Sequence, residues 1–149
     1  MSERLDVIGI GNAMVDAIIP SDRQEIEKHE INRDSMNLID ENLKNILHQT
    51  YSIKDMVGGG SLGNSMFGIT SLGGNGSFIG KIKNDKIGIF LQKDMISEGL
   101  KFPLGFTSPQ ISTGCCTIFV EEDGTRTMCT FLGAGSSIGP DDIKAKQII

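Results

Sequence analysis

The chain has 149 residues, the length of one ordinary domain, and is long enough to bury a core. Charged residues make up 22% and the formal net charge is -5, so no basic footprint exists for nucleic acid or an anionic membrane. The 19 glycines exceed the average usage of about 7% and are scattered, which predicts many tight turns rather than one linker. The start, MSERLDVIGIG, lacks the apolar core of a signal peptide, and no apolar run is long enough to span a bilayer. Cys115, Cys116 and Cys129 form no C-x-x-C pair, and an odd count without an export signal suits a reducing cytoplasm.

In chain order, LDVIGIG (5–11) reads as a buried strand ended by glycine. AMVDAIIP (13–20) is a second extended stretch, stopped by Pro20. DRQEIEKHE is polar and helical, and MNLI (36–39) is a short strand. Asp40 is placed to cap a helix that carries Leu43, Ile46 and Leu47 on one face. SIKDMV is a weak strand, because it is short and holds Lys54 and Asp55. Ser61 is the expected cap of a helix with Leu62, Met66, Ile69 and Leu72 at helical spacing. GSFIGKI (76–82) reads as one strand, and Asn84 or Asp85 caps a helix closed by Gly99. STGCCTIFVEE and TRTMCTF flank Asp123-Gly124, a hairpin signal. Cys115 and Cys116 would then point to opposite faces, as small core residues rather than a redox pair. LGAGSSIG is a loop, Pro140 opens a helix, and Ile148-Ile149 is its last turn or the start of another strand. Alternating strands and helices imply a parallel sheet. Only two strands suit one, the other extended segments stand apart, and the chain looks cut off.

Gly58, Gly60 and Gly63 spell G-x-G-x-x-G, and Asp85 lies near the spacing of a ribose-binding acid. A dinucleotide turn also needs a strong preceding strand, which SIKDMV does not supply. GIGNAM (9–14) lacks the third glycine. GNGSFIGK fails as a P-loop, because Ile82 stands where a Mg-binding hydroxyl belongs, and Lys81 reads as a solvated strand-end lysine. His29 and His48 have no partner at metal-ligand spacing. A different reading rests on polar side chains. Asn64 would lie in the first turn of the helix capped by Ser61, where backbone N–H groups are unsatisfied. Asp16 interrupts an apolar strand, and a carboxylate there could accept two hydrogen bonds from a vicinal diol. Equally, Asn64 could cap the helix and Asp16 face water.

Five stretches in order carry a resemblance. They are DVIGIGNAMVD, GGSLGNS (59–65), SLGGNGSFIGKIKNDKIG (71–88), STGCCTIFVEEDGTRTM (112–128) and TFLGA (130–134). Together they resemble the N-terminal half of the ribokinase-like (PfkB-type) carbohydrate kinase family, most closely its adenosine-kinase-like branch. The resemblance implies a three-layer α/β core of Rossmann-like character, mostly parallel, with a small β-sheet lid. The lid would take residues of approximately 13–20, 35–39, 111–120 and 125–132.

The resemblance places Asn12, Asp16, Gly59, Gly60 and Asn64 at the sugar hydroxyls. It makes Met36, Leu38 and Phe131 apolar lid contacts, and lets Arg126 reach toward phosphate. Leu62 replaces a small residue of the family signature, and Lys83-Asn84-Asp85 replaces Gly-Asp-Asp. The implied activity is ATP-dependent phosphorylation of a primary hydroxyl on a sugar or nucleoside, with Mg²⁺. Family members are about twice as long. The general base, anion hole, ATP pocket and Mg²⁺-linked motif are therefore expected in an absent C-terminal half, and this chain is expected to be inactive alone. The alternatives are a non-catalytic remnant that binds a sugar or nucleoside, and a dinucleotide-dependent oxidoreductase fragment. The expected partner is a small molecule, not nucleic acid or membrane. An exposed lid edge could pair two copies.

Overall fold

Val7–Ile10 forms β1, whose Gly11 still donates to the Ile79 carbonyl at 3.1 Å before the chain turns away. The computed structural model describes residues 4–103, 106–108 and 110–143. After β1 come β2 (Met14–Pro20), α1 (Arg23–Glu27), β3 (Met36–Leu38) and α2 (Glu41–Thr50). Then follow β4 (Asp55–Gly59), α3 (Ser61–Ser71), β5 (Gly76–Ile79), β6 (Ile82–Lys83) and α4 (Lys86–Ser97). β7 (Phe106–Ser108) leads to the hairpin of β8 (Gly114–Val120) and β9 (Arg126–Phe131).

Local chemistry fixes the helix starts. Asp22 and Glu25 form a reciprocal capping box on α1, and Asp40 accepts from the Leu43 N–H at 2.8 Å on α2. Asp85, rather than Asn84, caps α4 by accepting from the Gly88 N–H at 2.8 Å.

The extended segments that fit no parallel layer come together. β3, β9, β8, β2 and β4 lie side by side in one mixed five-stranded sheet, the lid. β2 and β8 run parallel, while β4 and β9 flank them antiparallel. SIKDMV therefore does form a strand, β4, at the edge of the lid. The glycines that follow it leave an antiparallel edge strand, not the end of a parallel one, so they do not make a dinucleotide turn. Asp85 is also fully engaged: besides capping α4 it accepts from the Thr113 N–H at 3.0 Å and hydroxyl at 2.9 Å.

β1 and β5 form a separate two-stranded parallel sheet. GSFIGKI breaks into two strands on either side of Gly80, where an added Cβ would meet Ala13 and the Gly11 carbonyl. β6 pairs with β7 instead. The expected loop at 132–139 contains a 3-10 turn over Gly133–Ser137 whose first three residues are buried. Pro140–Asp142 makes a single further 3-10 turn. The expectation for Ile148-Ile149 lies outside the described residues.

The alternation of the lid strands decides what is buried. Val15, Ala17 and Ile19 of β2 and Cys115, Thr117 and Phe119 of β8 face inward and are at most 1% exposed. Near β4 they pack on Met66 of α3, Leu91 and Met95 of α4, and Phe78. Farther out, Ile19, Phe119 and Cys129 pack on Ile26 of α1 and Leu47 of α2. Helices thus cover one face of the lid and leave the other open. Among the described residues no helix is long and apolar enough to cross a membrane.

Candidate functional site

One row on the open face of the lid carries Asp16. The strand registers align Leu38, Thr130, Cys116, Asp16 and Val57 across all five strands. Leu38 and Val57 are exposed at the two ends, and Asp16 is half-buried near one of them. The Thr130 hydroxyl is spent on the Cys116 sulfur at 3.3 Å. Asp16 is therefore the charged group of this row.

Asp16 leans along its strand onto Gly59. A Cβ at Gly59 would land on the Asp16 carboxylate, so glycine is required for the carboxylate to lie there. Burial pushes the Asp16 pKa up from 3.8, and the neighbouring Gly60 N–H partly offsets that rise. Gly59→Ala should cost about 1–3 kcal/mol by overpacking. It should also shift the Asp16 carboxyl resonance. Chemical denaturation and carboxyl NMR check both.

Gly60 turns the chain from β4 into α3 with φ of 77°. It is the N-cap in place of the expected Ser61, which becomes the first helical residue, and no side chain caps α3. The Asn64 N–H closes the first helical turn on the Gly60 carbonyl at 2.9 Å. The Asn12 carbonyl approaches Gly60 from the β1–β2 connection, 3.7 Å from where its Cβ would stand. Asn12, Asp16, Gly59, Gly60 and Asn64 thus meet around one turn. The side-chain amides of Asn12 and Asn64 have no hydrogen-bond partner among the described residues.

The other residues separate from this group. Met36 and Leu38 share the open face, 56% and 65% exposed, but on the far edge of the sheet. Phe131 lines a cavity together with Leu38, Thr130 and Leu132. It pairs with inward-facing Cys115, and its ring lies under the Lys44 ammonium at 5.0 Å, on the helix-covered side. Its odd position in β9 dictates this, since neighbours in a strand alternate. Arg126 pairs with Val120 at the hairpin end, four residues or about 13 Å along β9 from the Asp16 row.

Lys81 is also not the solvated lysine expected. It is mostly buried and bonds Asp142 at 2.9 Å and the Ser137 carbonyl at 3.3 Å. Lys44, beside Leu43 and three before Leu47, lies on the packed side of α2, a spacing that marks it only by its neighbours. It is 5% exposed and bonds the Ser112 hydroxyl at 3.3 Å. The three cysteines are free and buried, with Cys115 and Cys116 on opposite faces. Burial pushes the Cys115 thiol up to about 12 and that of Cys129 up to about 11, so both stay protonated and unreactive. Burial and the nearby Lys44 charge lower the His48 pKa, and its Nε2 contacts the Thr117 hydroxyl at 2.9 Å. Among the described residues no three His, Cys, Asp or Glu side chains gather as a metal site.

The model of the pfkB family carbohydrate kinases matches residues 6–148. The chain belongs to this family. Among solved structures, adenosine kinases and a probable sugar kinase match it. The adenosine kinase from Sinorhizobium meliloti is 35% identical with a TM-score of 0.86, over 97% of this chain and 44% of that one. A probable sugar kinase from Rhizobium etli CFN 42 is 34% identical with a TM-score of 0.84, over 95% and 43%. An adenosine kinase from Schistosoma mansoni in complex with adenosine shares the fold at 22% identity and a TM-score of 0.79, over 95% and 42%. This pfkB chain thus spans less than half the length of these relatives. No curated protein matches it. The ribokinase-like α/β fold, the lid and the adenosine-kinase-like resemblance all stand.

Proposed function

We propose that this chain supplies the acceptor-binding part of an ATP-dependent kinase that phosphorylates a primary hydroxyl of a nucleoside. The observation that carries this is the Asp16 carboxylate lying over Gly59, beside the uncapped start of α3. A carboxylate held at one end accepts two hydroxyl hydrogen bonds in fixed directions. Asn12 and Asn64 add amide donors and acceptors, and Gly59 and Gly60 let the ring approach the backbone.

A second feature favours a nucleoside over a bare sugar. An apolar cavity of about 210 Å³ is lined by Leu38, Ile111, Thr130 and Leu132, among others. Thr130 stands two strands from Asp16 in the same row, about 10 Å away. That separation suits a ribose at Asp16 and a flat base over the cavity. The similarity to an adenosine kinase supports the same class.

The general base, the anion hole and the ATP pocket are assigned to polypeptide outside this chain. Titration of the purified chain with adenosine, ribose and 2′,3′-dideoxyadenosine tests the reading. Adenosine should bind best and the dideoxy analogue at least about tenfold more weakly, since each charge-assisted hydrogen bond is worth about 1.5–3 kcal/mol. Equal binding of the two nucleosides would remove the diol assignment. Phosphorylation of adenosine by this chain with ATP would show that the catalytic groups lie within it after all.

A further inference from the structure

We infer that Asp94 is a positioning residue of the diol site, acting through the amide of Gly58. The inference rests on the reading of Asp16 and the glycine turn as that site. β4 is the edge strand of the lid, so every other N–H along it points away from the sheet and has no strand partner. The Gly58 N–H is such a group. It donates to Asp94 Oδ2 of α4 at 2.8 Å. The approach is close: a Cβ on Gly58 would meet Asp94 Oδ2 at 2.6 Å and the Phe67 ring at 2.7 Å.

Asp94 is a helical residue of the core, half-buried, with no ion pair among the described residues. Its carboxylate therefore serves as an acceptor for the lid. The next residue, Gly59, carries Asp16 over it, and the one after, Gly60, presents its N–H to Asp16. Fixing Gly58 fixes the direction of both. The turn is thus held between two carboxylates, Asp94 from the core and Asp16 from the lid.

The same helix holds another root of the lid. Asp85, at the start of α4, bonds both the N–H and the hydroxyl of Thr113, the residue before β8. Its bonds explain a cap and a strand entry. Those of Asp94 explain neither, because Asp94 lies in the third turn of α4 and its carboxylate leaves the helix to reach the glycine turn.

The test uses the ¹⁵N-labelled chain and the variants Asp94→Ala and Asp94→Asn. Asparagine keeps an acceptor oxygen at the same reach, so it separates hydrogen bonding from charge. In Asp94→Ala the amides of Gly58 and Gly60 should exchange at least tenfold faster. The Asp16 carboxyl midpoint should move, and adenosine affinity should fall about tenfold, with Asp94→Asn staying within threefold of the parent. Unchanged Gly60 exchange and Asp16 midpoint in Asp94→Ala would overturn the inference, as would failure of Asp94→Asn to restore them. Should Asp94→Ala not fold, Asp94→Gln, which misplaces the acceptor by one methylene, is read by the same two outcomes. If the parent chain binds no adenosine, the diol reading falls, and exchange and midpoint still decide whether Asp94 positions Gly60 and Asp16.

Discussion

Asp16→Asn is expected to weaken adenosine binding about 100-fold while making the free chain more stable at neutral pH. The two effects have one cause. Asp16 sits half-buried in an apolar strand, and burial holds its pKa above 3.8. A carboxylic acid raised in this way favours its protonated form in the folded chain. Its contribution to stability is complete below pH 3.8 and is lost as pH rises through the shifted value. At neutral pH the ionised group therefore weakens the fold, and asparagine relieves that cost while keeping an acceptor for the Gly60 N–H. Thermal melts of the two proteins should differ at neutral pH and converge below pH 3.8. Binding runs the other way. The diol needs the carboxylate, so adenosine affinity of the parent chain should drop with acidification and begin to do so above the ordinary aspartate range. The Asp16→Asn chain should show no such drop. An unchanged affinity for adenosine in Asp16→Asn would leave the row on the open face without a charged ligand contact.

Gly133→Ala is expected to be the most destabilising single-methyl change at the root of the lid. Gly133 opens the 3-10 turn two residues after β9 with φ of 60°, in the left-handed region where an L side chain is strained. A Cβ there would stand 2.5 Å from the Gly114 nitrogen and 2.6 Å from the Ser112 carbonyl oxygen. Both are backbone atoms at the entry to β8, so no flexible side chain can move aside. Left-handed strain costs about 1–2 kcal/mol, and overpacking adds about 1–3 kcal/mol. At about 3 °C per kcal/mol for a chain of this size, the melting temperature should fall by about 10 °C. Scanning calorimetry reads it. The same methyl at Gly139, where nothing lies within 4 Å of the added atom, is the control and should change little.

The resemblance and the local patterns agree over most of the chain for a physical reason. Caps and alternation are short-range, so Asp40, Asp85 and the strand of Val15, Ala17 and Ile19 are readable from neighbouring residues alone. SIKDMV misleads because an edge strand is half solvated and tolerates Lys54 and Asp55 where a central strand would not. The facing of Phe131 is hidden for a different reason. Phe131 follows Thr130 in sequence, but the pleat sends the two to opposite faces, and a match to a motif does not carry that information. Lys81 reads locally as solvated because its partner, Asp142, lies far along the chain.

The family, four of the five lid strands, the caps at Asp22 and Asp40 and the glycine turn at 58–60 are legible in the sequence alone. Each of these rests on residues within a few positions of one another, or on an ordered set of motifs. Long-range packing sets that β4 joins the lid, that Leu38, Thr130, Cys116, Asp16 and Val57 form one row, and that Asp94 reaches Gly58. Strand registers and contacts across 36 residues are set by the packing of whole elements, and no local pattern encodes them.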